Sequence, residues 1–233
     1  MNNFSALAFS SLALLLAAAS TPVLAESSAA VAPVVQVDDA PAPVLLSAQD
    51  RADLHKVEDF FRALPAVKAH FVQEAQQTDG SMVTVSGTFK LWRPGRLRID
   101  YDAPLKDFIV ADGSHIYQWD AQMQQQSQVR IDETLPGFIL KRDLSFDGGD
   151  VTATRVTHPG PSRVEVSLRS AKDPSAGEMT LVLDDVPMRL AGWRVLDAQG
   201  LLTTVTLSNI ETGARFSRSD FVFRRPDADS RGR

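Results

Sequence analysis

The sequence predicts a mainly β fold with some α (α+β): one broad antiparallel sheet of about eleven strands, curled around an apolar face and served by short helical segments. Three observations lead there. From Val67 to about residue 210, short runs rich in β-branched and aromatic residues alternate apolar and polar side chains with period two. Val164, Val166 and Leu168 point one way, against Arg163, Glu165, Ser167 and Arg169, and Met179, Leu181 and Leu183 repeat the pattern. Turn signals separate the runs at Asp79-Gly80, Pro94-Gly95, Asp112-Gly113, Asp173-Pro174, Val186-Pro187 and Gln199-Gly200. The connections are short almost everywhere, which makes a meander the economical topology.

Taken in order, residues 1–25 read as a secretory signal peptide. An apolar stretch from Ala6 to Ala19 is followed by Val23-Leu24-Ala25, with small residues at the −3 and −1 positions, although no Lys or Arg precedes it. Residues 26–46 are rich in Ala, Pro and Val without periodicity and read as a linker. At Ser47 an N-cap with an acid three residues on (Asp50) opens an amphipathic helix. Leu54, Val57, Phe61 and Leu64 recur at helical spacing up to Pro65. Strands are expected at 68–77, 82–92, 96–102, 106–111, 115–119, 124–130, 151–156, 163–170, 177–184, 189–196 and 201–210. The exception is 131–150, where Leu135 to Arg142 (LPGFILKR) reads as a short helical or lid segment before the loop Asp147-Gly148-Gly149-Asp150. The globular domain is thus 47–226, and 227–233 is a polar tail.

Composition narrows function. The chain has 233 residues, net charge −5 and a pI near 5.4, so a nucleic-acid partner would have to bind against an unfavourable field. The absence of cysteine excludes disulfides, thiolate metal sites, a thiol nucleophile and cysteine lipidation. His55, His70, His115 and His158 are scattered, with no H-E-x-x-H and no G-x-S-x-G, so neither a zinc site nor a nucleophile elbow is visible. Asp147 and Asp150 read as solvated loop acids rather than calcium ligands. Neither an enzyme nor a cofactor is expected.

The stretch KLWRPGRLRIDYDAP (90–104) carries the sharpest local signal. By period two, Phe89, Leu91, Leu97, Ile99 and Tyr101 share one face, and Arg96, Arg98 and Asp100 share the other, solvated one. Arg93 stands apart at the strand end beside Pro94, where the turn can aim its five N–H donors across the rim of the sheet, towards carbonyl oxygens at a helix C-terminus. The competing reading is a solvated turn arginine.

Four segments in this order resemble the LolA family of periplasmic outer-membrane lipoprotein carriers: Val67 to Gln73 (VKAHFVQ), Gly87 to Arg98 (GTFKLWRPGRLR), Ile109 to Tyr117 (IVADGSHIY) and Phe221 to Pro226 (FVFRRP). The resemblance spans about residues 50–226. It implies an unclosed antiparallel β-barrel of about 11 strands, with helices forming a lid over an apolar cavity. The implied activity is carriage without chemistry. Acyl chains of lipoproteins are taken from the inner-membrane LolCDE transporter, shielded across the periplasm and handed to the outer-membrane receptor LolB, with no cofactor and as a monomer. LolB is itself a lipoprotein, so a chain without cysteine is expected to be the diffusing carrier. The family's rim arginine, which holds the lid through backbone carbonyls, falls on Arg93. The implied cavity is lined by Phe89, Leu91, Leu97, Ile99, Tyr101 and Ile116, and the implied lid by Val57, Phe61, Leu64, Phe138 and Leu140. Ile99 stands where relatives commonly carry Trp, the tail lacks an apolar continuation, and the linker is longer than a carrier needs. The alternative reading is a lipid-binding or lipoprotein-sensing regulatory module on the same half-barrel scaffold.

Overall fold

The computed structural model describes residues 46–226 apart from 135 and 147. The signal peptide, the linker up to residue 45, Leu135 of the lid segment, Asp147 of the acidic loop and the tail 227–233 lie outside the described residues.

The helix, α1 (Ala48–Ala63), begins where the sequence places its cap. Ser47 Oγ accepts from the Asp50 N–H at 3.1 Å, and the Asp50 carboxylate accepts from the Ser47 N–H at 2.8 Å. It stops because Pro65 disfavours helical backbone at the residue before it, and Leu64 turns extended.

Eleven strands follow: β1 (Ala66–Gln76), β2 (Met82–Trp92), β3 (Arg96–Tyr101), β4 (Phe108–Asp112), β5 (His115–Asp120), β6 (Gln125–Arg130), β7 (Val151–Gly160), β8 (Arg163–Ser170), β9 (Gly177–Asp185), β10 (Met188–Asp197) and β11 (Leu202–Thr212). They form one antiparallel sheet in the order β6-β5-β4-β3-β2-β1-β11-β10-β9-β8-β7, with β6 and β7 as unjoined edges. The sheet is an unclosed barrel made of two meanders, joined where β1 pairs with β11.

This order explains the one long connection. The two edge strands are consecutive in sequence, so residues 131–150 must pass from one edge of the sheet to the other. They do so over the concave side, where Phe138, Ile139, Leu140, Leu144 and Phe146 are buried in one cluster with α1 and with strands of both meanders. The apolar faces of sheet, helix and crossing segment therefore close on one another, which is the main source of stability in such a layered arrangement.

The convex side is drier than the sequence suggests. Arg96, Arg98 and Asp100 do lie on it, but Phe108, Val110 and Trp119 form a second small core there under Phe221, with Trp92, Phe216 and Phe223 around it. The Arg96 guanidinium sits 5.3 Å from the Trp92 ring and that of Arg98 5.2 Å from Phe108. The C-terminal segment, tightened by the 3-10 turn Arg218–Phe221, folds back to cover these rings.

Candidate functional site

The β2–β3 hairpin supplies the concave wall. Its register pairs Phe89 with Ile99 and Leu91 with Leu97, and sets Gly87 opposite Tyr101. Gly87 is a glycine by necessity: a Cβ there would stand 2.1 Å from the Asp100 carbonyl oxygen and 2.7 Å from the Phe71 ring. The space it leaves lets Phe71 meet Tyr101 edge to face at 5.4 Å. The Tyr101 hydroxyl donates to Gln73 at 3.2 Å, and burial pushes its phenol pKa up. Trp193, on β10, adds a ring 5.4 Å from Phe89.

All eleven apolar positions named from the sequence come together in this one cluster. Phe89, Leu91, Leu97, Ile99, Tyr101 and Ile116 of the sheet meet Val57, Phe61, Leu64, Phe138 and Leu140 of the covering segments, and none is more than 9% exposed.

Arg93 sits where sheet, helix and crossing segment converge. Its guanidinium donates to the Phe61 carbonyl in the last turn of α1, where helix carbonyls lack intrahelical partners, and to the Lys141 carbonyl, with a longer bond to the Arg142 carbonyl at 3.4 Å. It also lies 5.8 Å from the Phe61 ring. Two backbone bonds frame it: Arg93 N–H to the Pro65 carbonyl at 3.0 Å and Gly95 N–H to the Leu140 carbonyl at 2.7 Å. No carboxylate among the described residues pairs with it, and its Nε–H is buried without a partner. Burial pulls its pKa below that of a free guanidinium, yet it stays charged at any physiological pH.

Chain membership can now be placed. The profile described as "Outer membrane lipoprotein carrier protein LolA" matches residues 62–224. The chain belongs to the LolA family. Two relatives, each named outer-membrane lipoprotein carrier protein, come from Bordetella avium and Neisseria meningitidis serogroup C. The first is 27% identical over 194 residues (79% of this chain, 88% of the relative), the second 24% over 174 residues (73% and 82%). A LolA superfamily protein from Nitrosomonas europaea aligns with 77% of this chain and 99% of its own, at 11% identity and a TM-score of 0.45. The family match takes in all eleven strands and the Arg93 turn, whereas most of α1 precedes it.

Two acids on α1 were missed by the sequence reading. Glu58, 8% exposed, accepts the buried Phe146 N–H at 2.7 Å and so ties the helix to the crossing segment. Asp53, 5% exposed, accepts from Lys56 at 2.9 Å and Gln49 at 3.0 Å, and its carboxylate lies 3.4 Å from His158 on edge strand β7. The signal was present: on a helical wheel the two acids border the apolar stripe of Leu54, Val57 and Phe61, one on each side. His158 aside, the histidines are dispersed on the surface, and among the described residues no group of three His, Asp or Glu could hold a metal ion.

Proposed function

We propose that this protein is a periplasmic carrier that shields the acyl chains of lipoproteins beneath α1 and the crossing segment and moves them from the inner to the outer membrane. Loading would come from an inner-membrane LolCDE transporter and delivery would go to a LolB receptor, with residues 1–25 serving export and 47–226 forming the carrier domain. The carrier names of its relatives support the cargo class. The observation that carries the reading is Arg93, whose charge is bonded to carbonyls of both covering segments and to no described acid.

The physical argument is one of reversibility. Each buried acyl CH₂ contributes about 0.8 kcal/mol, so a long chain in a rigid apolar cavity would bind too tightly to leave. In the closed state the concave wall is already occupied by Val57, Phe61, Leu64, Phe138 and Leu140. An acyl chain therefore exchanges with side chains of the lid, and only the difference in burial, less the cost of breaking the Arg93 bonds, appears as affinity. Arg93 is the latch in this mechanism: it favours the empty, closed state and so promotes release.

Purification from the periplasm, followed by mass spectrometry for triacylated lipoproteins, tests this reading. Cargo is expected on the wild type and enriched on Arg93→Leu; free lipid alone, or nothing on either, would overturn it.

A further inference from the structure

Next to the latch is a feature that acyl-chain carriage does not use. Between the Pro94-Gly95 turn and the middle of the crossing segment lies a cavity of about 410 Å³, and its wall carries Arg96, Lys141 and Arg142 beside Gly95, Gly113 and Ile131. Gly95 and Gly113 leave the floor bare; a Cβ on Gly95 would stand 2.9 Å from the Gly113 Cα. Half-buried Arg93 adjoins the cavity through Pro94 and through the Lys141 and Arg142 carbonyls that it holds.

The charge here is unbalanced in a chain whose net charge is −5. Lys141 is paired with Asp150, which also sees Lys172 at 3.3 Å. The other nearby acids are engaged elsewhere. Asp112 accepts the Ser114 and His115 N–H groups at 2.8 and 3.0 Å, and Asp132 accepts from Arg130 at 3.0 Å. Asp143 follows Arg142 in sequence but is not part of the wall. Arg96 rests on Trp92, and neither it nor Arg142 is ion-paired with a described acid.

We propose that this cavity is a binding site for a phosphate group. Three residues that line this one space are basic, two of them arginines without a described acid partner and the third Lys141, which shares Asp150 with Lys172; this suits an anion with several oxygens, since a lone carboxylate would satisfy only one arginine fork. The group can come from an anionic phospholipid headgroup or from free phosphate. The site stands independently of the carrier reading. If that reading holds, the site touches the lid directly, because a bound phosphate engages the side chains of the two residues whose carbonyls Arg93 holds.

The test uses the full chain and an Arg96→Gln/Arg142→Gln variant, with the folded state of the variant checked by its thermal transition. Inorganic phosphate is titrated while the Gly95 and Gly113 amide resonances are followed, and sedimentation is measured with phosphatidylcholine vesicles with or without phosphatidylglycerol. The wild type is expected to respond, and the variant to bind about 30-fold more weakly, from the loss of two basic side chains near an anionic surface. Binding to phosphatidylglycerol vesicles that the variant loses identifies a headgroup site. A phosphate response that the variant loses, without vesicle binding, identifies a free-phosphate site. No response to either probe, or equal responses from both proteins, overturns the proposal.

Discussion

The convex face of β7, β8, β9 and β10 and the rim at Arg93 use the same side chain to different ends. On the convex face each arginine meets a carboxylate: Arg194 pairs with Glu165, Arg155 and Arg169 with Glu178, and Arg163 and Arg189 with Asp184. These pairs are part-solvated, screened by salt and individually worth little. At the rim the arginine is half-buried, donates to carbonyl oxygens and to no described carboxylate, and leaves its buried Nε–H unmet. A cation desolvated without a counter-charge is costly to keep. Its bonds exist only while three elements stay together, and water repays it as soon as they part. The first arrangement ties neighbouring strands of one sheet; the second ties three separate elements at one point, which is what the proposed latch requires.

Substitutions sharpen this contrast. The largest loss is expected beneath the joint: Phe89→Ala, at a side chain 1% exposed, should cost about 3–5 kcal/mol of unfolding free energy in urea. Glu58→Ala comes next, because it strands the buried Phe146 N–H; about 1–3 kcal/mol is expected.

Asp53 gives a pH signature. Burial alone would raise its carboxyl pKa, but hydrogen bonds from Lys56 and Gln49 outweigh that and hold it below 3.8. A folded-state pKa that is depressed contributes stability above the unfolded value, and the contribution is lost as pH falls through the folded one. The acid-side decline in urea stability below about pH 4 should therefore be shallower in Asp53→Asn than in the wild type. The smallest effect belongs to the convex face. Arg194→Gln should change stability by less than about 1 kcal/mol, and added salt should shrink that difference; a cost as large as that of Glu58→Ala would erase the distinction between the two regions.

Much of this architecture was legible in the residues. Period-two alternation between turn signals located all eleven strands, because a sheet with one dry face imposes that period directly. The concave, buried face followed from the same alternation at Phe89, Leu91, Leu97 and Ile99. Arg93 was different. Its place beside Pro94 suggested a reach across the rim, but its partners at Phe61 and Lys141 lie 32 and 48 residues away, so no local pattern separates that reading from a solvated turn arginine, and it was the family resemblance that favoured it. The convex core under Phe221 escaped for a related reason. Trp92, Phe108 and Trp119 occupy positions that alternation assigns to solvent, and the segment that covers them has no regular period.

On the carrier reading proposed above Arg93 holds the lid shut, and the absence of cysteine makes a clean test possible. Cysteines placed at Ala52 on α1 and Lys68 on β1, both exposed, can carry spin labels for a distance measurement with and without Arg93→Leu. A single narrow distance with Arg93 in place, and a second, longer population with Leu there, is the predicted result. The same narrow distance in both proteins would contradict it.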